Sequence, residues 1–297
     1  MWIANMRRTL ALLALLFTAS LAFAGTGTQY SGITSVTYQN GLDGYTGTTD
    51  TYIAEIDSTL NFGGCDTLKV SYATWTGYQS GNKKTLIKFD ISDLPDSAVI
   101  TQAYLQLYQY SNNAGANQDT LFLRRLVNAP DMGSGACTGT TGSNAATWKD
   151  RDGGTAWISL GASSLSSTKA WYTTDSTLAG SYLGTDTMSV GSGIDAALDF
   201  ESSTIAKAGV GANNRYGWVV FNVAHQVRLW HIGANDNNGF IIATHNTGVD
   251  KDIQFYSSDY VGYTYRPKLI IQYFDPTSGG GGSSAASTII GHDGSVH

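Results

Sequence analysis

The sequence predicts an all-β chain, an antiparallel β-sandwich of jelly-roll type with one short helix. One observation is the stretch 83–110. There Ile87, Phe89 and Ile91 alternate with Lys88 and Asp90, and further on Ala103, Leu105 and Leu107 alternate with Tyr104, Gln106 and Tyr108. A period of two is what a half-buried strand requires. Another is the turn between them, Asp93-Leu94-Pro95-Asp96, where Pro sets φ and Asp bonds back to its own backbone. The third is composition: 35 glycines among 297 residues, with only 13% charged, suits many turns and a polar, uncharged surface. Two long strands with one apolar face each need a second sheet to cover them.

At the N-terminus, residues 1–24 read as a signal peptide. Arg7 and Arg8 precede a mostly apolar run over 10–23, and Ala22-Phe23-Ala24 supplies small residues at the cleavage positions. That run is too short to span a membrane comfortably, so no membrane insertion of the mature chain is expected. Residues 25–49 are polar, with Ile33, Val36 and Tyr38 marking an early strand that pairs with its own sheet or, as an alternative, with a neighbour's free edge. The sandwich domain is expected over 50–275. Short strands are read at 51–54, 67–73 and 118–128, where Arg124-Arg125 is read as a solvated strand end. Trp148 and Trp157 bracket a turn and are expected to pack over one end of the sandwich. Residues 161–207 show no sustained period, beyond one strand suggested by Leu198, Phe200 and Ile205.

Strand periodicity returns at Val219, Phe221 and Val223. The spacing then changes: Val223, Val227 and Trp230 share one side of a helix of one or two turns. Later strands are read at 240–244, 253–256 and 268–273, with Pro267 just before the last. Residues 276–297, opening on a glycine run, read as a flexible tail.

Charge and cysteine content narrow the function. Formal net charge is −6, and loss of the two leader arginines takes it to −8. A nucleic-acid partner would need a basic stripe, so none is expected. Cys65 and Cys137 in an exported chain predict one disulfide.

The phrase T-L-I-K-F-D-I-S-D-L-P at 85–95, followed by A-Y-L-Q-L-Y at 103–108, carries a resemblance. So do Asp50-Thr51-Tyr52, Asn61-Phe62-Gly63, Ala146-Thr147-Trp148, the stretch 219–230, Asn238-Gly239-Phe240, 255–259 and Arg266-Pro267-Lys268-Leu269. In order and spacing the chain resembles the DNRLRE-type secreted domain, a β-sandwich family that includes carbohydrate-binding module family 96. The resemblance implies a glycan-contacting or adhesive module that is not an enzyme. The residues agree: no G-x-S-x-G or H-E-x-x-H occurs, and His225 and His231 stand six apart around the helix.

A sugar's apolar face stacks on an aromatic ring while its hydroxyls take planar polar partners. Candidate glycan contacts are therefore Trp75, Tyr78 and Gln79 in the loop 74–82, Tyr104, Tyr108 and Tyr110 on the outward side of their strand, and Tyr260, with Tyr256, Tyr263 and Tyr265 around it, in the tyrosine-rich turn before the last strand. The strand tyrosines are equally well explained as cover for a sheet. No cofactor is required. Asp150 and Asp152, on a turn closed by Gly153-Gly154, are the candidate oxygen ligands for a structural calcium.

These features support two functional readings. One is a secreted module, extracellular or at the cell surface, that binds an extracellular polysaccharide or cell-surface glycan. The alternative is a structural subunit of a filament, sheath or surface layer, self-associating by strand addition through 25–40 or 287–290.

Overall fold

The structure, a computed structural model, describes residues 32–72, 81–112, 119–141, 144–157, 162, 196–197, 206–210, 216–244 and 251–277. The chain divides into a compact unit, Ile33–Asp275, and a second unit made of Met1–Gly32 and Pro276–His297. The first unit holds every strand and helix named below. The expected strand around 198–205 and the loop holding Trp75, Tyr78 and Gln79 lie outside the described residues.

The strands are β1 (Thr34–Tyr38), β2 (Thr48–Ala54), β3 (Thr67–Tyr72), β4 (Lys83–Phe89), β5 (Val99–Asn112), β6 (Asp119–Leu126), β7 (Asp150–Asp152), β8 (Thr155–Ala156), β9 (Ala196–Ala197), β10 (Ala206–Val210), β11 (Gly217–Asn222), β12 (Phe240–Thr244), β13 (Lys251–Tyr256) and β14 (Lys268–Phe274). Helix α1 (Ala224–His231) is the single α-helix among the described residues, none of whose helices is long and apolar enough to cross a membrane. All but β7 and β8 join one curled antiparallel sheet in the order β1-β14-β5-β13-β3-β4-β12-β6-β10, with β11 beside β5, β2 beside β4 and β9 beside β6.

The curl makes this an all-β sandwich. β5 is long enough to serve both layers: residues 99–106 pair with β14, and residues 109–112 pair with β13 after a register shift. Between the layers lies the main core, which includes Ile87, Phe89, Leu105, Leu107, Val219, Phe221, Leu269 and Ile271, all residues that the strand periodicity places inward. β1 pairs with β14 over Thr34–Tyr38, so the early strand belongs to its own sheet.

The helix forms where the spacing predicts it. Val223, Val227 and Trp230 are buried, and Trp230 packs its ring against Phe240 at 4.6 Å between centroids. Arg228 ties the helix to β5 by donating from Nε to the Ile100 carbonyl and from Nη2 to that of Thr101, both at 2.8 Å.

Three expectations are corrected. β4 is not half-buried: Lys84 and Leu86 are covered as fully as Ile87. The reason is a second apolar cluster on the other face, where Leu86, Ile53, Ile241 and Leu126 meet Met132, Trp148 and Trp157. The two tryptophans therefore blanket the outside of the sheet and do not close an end. The residues opposite in parity to the core set are the ones they cover. The third correction concerns Arg124 and Arg125, which are buried and not a solvated strand end. Lys84 shares that covered face, its Nζ 5.1 Å from the Trp148 ring centroid. Burial, reinforced by the positive charge of Arg124, pulls the lysine down to about 7.

The covering segment is fastened by Asn61. Its Nδ2 donates to the carbonyls of Met132 (2.9 Å) and Ala146 (2.8 Å), and its Oδ1 accepts from the amides of Gly63 (3.1 Å) and Gly135 (2.8 Å). Asn61 and Thr140 also exchange backbone hydrogen bonds at 3.0 Å. Gly63 and Gly135 are required by close approach. A β-carbon at Gly63 would strike the Met132 and Gly133 carbonyls, and one at Gly135 would strike that of Asn61. The predicted disulfide is formed, joining Cys65 to Cys137 across the same two loops with α-carbons 4.5 Å apart. Thiol titration of the unfolded, unreduced protein is expected to find no free thiol, and detection of two would remove the bridge.

Candidate functional site

The most distinctive exposed feature is aromatic. On β5 the inward set Ala103, Leu105 and Leu107 leaves Tyr104, Gln106, Tyr108 and Tyr110 on the outer face. Register then decides their neighbours. Trp218 of β11 lies opposite Tyr108, Val220 opposite Gln106, and Lys268 of β14 opposite Gln106 on the other side. Alternation on β13 puts Gln254 and Tyr256 on the same face.

These side chains make a continuous aromatic platform. Tyr108 meets Trp218 edge-on at 5.3 Å and Tyr265 at 4.5 Å between centroids. Tyr256 stacks on Tyr110 at 4.4 Å and on Tyr260 at 3.7 Å, and lies 6.0 Å from Tyr108. Lys268 holds Nζ 3.9 Å from the Trp218 ring centroid, and its partial burial lowers its pKa. Polar groups edge the rings: the Tyr110 hydroxyl donates to Gln254 Oε1 at 2.8 Å and lies 2.9 Å from Thr67 Oγ1. The Tyr256 phenol is pushed up to about 12, chiefly by its hydrogen bond with Tyr260 and then by burial.

The turn carrying Tyr260 and Tyr265 is held from below. Arg266 Nε donates to the Tyr260 carbonyl at 2.6 Å, and its Nη1 donates to that of Asn40 at 3.1 Å. Asp50 reaches from β2 to accept from the Ser258 amide at 2.8 Å. Gly262 leaves room for the Tyr260 ring, which a β-carbon would approach to 2.8 Å. Asp50 is wholly buried, so desolvation dominates and raises its carboxyl to about 7, against the lowering effect of the Ser258 amide.

Of the sequence-predicted contacts, Tyr108 and Tyr260 come together through Tyr256. Tyr104 sits farther along β5, donating from its hydroxyl to Gln102 Oε1 at 3.1 Å, and joins none of these ring contacts. Trp75, Tyr78 and Gln79 lie outside the described residues. Tyr110, Tyr256 and Tyr265, which the sequence places on the same outward strand face and in the same turn, complete the rings. Trp218 and Lys268 are additional members. Trp218 had a signal: with Val219 and Phe221 inward, it must point outward. Asp50 and Arg266 stand in stretches that carry the family resemblance, but their role under the turn had no local signal, because their partners are set by the fold.

Asp150 and Asp152 lie on the small β7-β8 hairpin, where Asp152 pairs with Arg151 at 3.6 Å. Among the described residues no third His, Cys, Asp or Glu gathers with them. The one such group found, Cys65, Asp66 and Cys137, has both sulfurs committed to the disulfide. The turn Asn235-Asp236-Asn237-Asn238-Gly239 is also rich in side-chain oxygens, and its amides are used internally: Asn237 Nδ2 donates to the Phe89 carbonyl at 2.8 Å and Asn238 Nδ2 to that of Val127 at 2.6 Å.

No curated protein matches the chain. A family model, carbohydrate-binding module family 96, matches residues 43–190, which hold β2 to β8 and so Tyr104 and Tyr108, and stops short of β11, β13 and the tyrosine turn. The aromatic outer face and the sandwich beneath it thus accompany a direct match in the N-terminal half of the domain: over residues 43–190 the chain is related to carbohydrate-binding module family 96.

Proposed function

We propose that this chain is a secreted, non-catalytic module that binds an extracellular polysaccharide or cell-surface glycan on its outer aromatic face. The observation that carries the reading is the joined set of rings from Tyr110 through Tyr256 and Tyr108 to Trp218, edged by Gln254, Gln106 and Lys268. An open face of this kind suits a ligand that lies along it, with sugar rings stacked on aromatics and hydroxyls taken by amides. Export is supported by the leader-like residues 1–24. The filament alternative draws no support from β1, which pairs with β14 in its own sheet.

Affinity electrophoresis through gels containing polysaccharides tests it. At least one polysaccharide is expected to retard the mature protein. Trp218→Ala is expected to reduce that retardation at least tenfold in apparent affinity, a loss of about 1.4 kcal/mol. Because Trp218 is only partly buried, thermal unfolding of the variant should stay close to wild type. Full retardation in Trp218→Ala, or none in the native protein with any gel or glycan array, removes the reading. Trp75→Ala measured in parallel tells whether the loop 74–82 contributes.

The structural calcium rests on Asp150 and Asp152 alone. A chelator that lowers the melting temperature of metal-loaded protein supports it, since a ligand of the folded state stabilises by mass action. An unchanged transition dismisses it.

A further inference from the structure

Tyr110, Tyr256 and Tyr260 form a stack of three rings. Tyr256 lies nearly parallel to both of the others, at interplanar angles of 16° to Tyr110 and 18° to Tyr260. With centroids only 4.4 and 3.7 Å away, the outer rings cannot share one face of Tyr256 without overlapping. Tyr110 therefore covers one face and Tyr260 the other. The two outer rings differ at their hydroxyls. That of Tyr110 is held by Gln254 and Thr67. That of Tyr260 is hydrogen-bonded to the Tyr256 phenol.

The Tyr256–Tyr260 pair is the unusual one. A separation of 3.7 Å is van der Waals contact between ring carbons. With the hydroxyl ends also joined, the rings lie close to eclipsed, and the carbons flanking each hydroxyl face one another. Aromatic rings left to themselves prefer an offset or an edge-on approach, so the chain imposes this arrangement. Tyr260 is four residues past Tyr256, its carbonyl is pinned by Arg266, and Gly262 leaves space beside its ring. Both rings are only half-buried, so an oxidant can reach them. No thiol competes for it, because the two cysteines of the chain are joined to each other.

We propose that Tyr256 and Tyr260 are a modification site, coupled by one-electron oxidation into a dityrosine within the chain. The oxidant class is a haem peroxidase with hydrogen peroxide. Each phenol loses one electron to the oxidant and its hydroxyl proton to water, leaving a phenoxyl radical whose unpaired electron is shared with the flanking ring carbons. The two radicals pair these electrons in a new bond between one Cε of each ring. The hydrogens on the joined carbons then leave as protons while the oxygens regain theirs, which restores both phenols. The two electrons and two protons released overall turn one peroxide into two waters. The bond ties the turn bearing Tyr260 and Tyr265 to β13, whether or not the platform takes a glycan.

Treatment of the mature protein with a haem peroxidase and limiting hydrogen peroxide tests this, read by dityrosine emission and by mass spectrometry. Trypsin leaves both tyrosines in peptide 252–268, since Pro267 shields Arg266 from cleavage, and leaves Tyr110 in peptide 89–124. The main product is expected to be peptide 252–268 lighter by two hydrogen atoms, with no fragments from breaks between 256 and 260. Tyr256→Phe and Tyr260→Phe keep the rings and are each expected to cut the emission at least fivefold. Tyr216→Phe, at a tyrosine that is 67% exposed and outside the stack, should leave it unchanged. The assignment is overturned if no dityrosine forms, or if the chief link joins 252–268 to 89–124 or joins two copies of the chain. It is equally overturned if either stack variant keeps full emission, or if Tyr216→Phe removes it.

Discussion

Asn61→Ala lowers the melting temperature by on the order of 10 °C, the largest effect expected of any single substitution outside the main core. The side chain is fully buried and serves two carbonyls and two amides at once. Alanine would leave the carbonyls of Met132 and Ala146 and the amides of Gly63 and Gly135 without their partner. Each buried group left unmet costs roughly 1–3 kcal/mol, and with partial relaxation the total should be about 3–5 kcal/mol. Asn61→Asp is expected to do no better, since it keeps the acceptors but turns a carboxylate toward two carbonyl oxygens. The damage should begin in the covering segment, because Asn61 is what docks 131–146 beside Trp148 and Trp157. Urea unfolding of both variants checks this, and a loss under about 1 kcal/mol for Asn61→Ala would mean that the disulfide alone holds the segment.

Asp50→Asn changes how stability depends on pH. Burial raises the Asp50 carboxyl to about 7 in the folded protein, against about 3.9 when unfolded. Below about pH 4 both states hold the proton and the group contributes nothing. Between about pH 4 and 7 the unfolded chain has released its proton while the folded one retains it, so stability falls as pH rises. Above about 7 both are ionised and the loss, up to about 4 kcal/mol, stays constant. Asparagine preserves the acceptor for the Ser258 amide and cannot ionise. The stability of the variant minus that of wild type should therefore climb by a few kcal/mol across this window and then level off. The difference is the informative quantity, because Lys84, pulled down to about 7, contributes its own pH trend that cancels between the two proteins. Parallel profiles for variant and wild type would show that Asp50 is not desolvated. The same residue fastens the turn bearing Tyr260, so glycan retardation measured on Asp50→Asn reports whether that turn needs the carboxylate or only an acceptor.

The sequence by itself determined the all-β class, the inward set from Ile87 to Ile271, the short helix and the Cys65–Cys137 pair. These are local or nearly local signals: a period of two, a change to helical spacing, a turn around Pro95, and two cysteines in a chain with a leader-like start. It also exposed part of the aromatic face, because Tyr108 and Tyr110 alternate with residues that must be buried, while Tyr104, outward by the same alternation, stands apart from the rings. Only the tertiary structure decided what covers the other side of β4. Lys84 and Leu86 read as outward by parity, yet Trp148 and Trp157 arrive from far along the chain and bury them. Likewise, nothing local links Asp50 to Ser258, or Tyr108 to Trp218 and Tyr256. Those meetings arise because antiparallel register and the curl of one sheet set which distant strands are neighbours, and a residue's own spacing carries no record of the partner placed beside it.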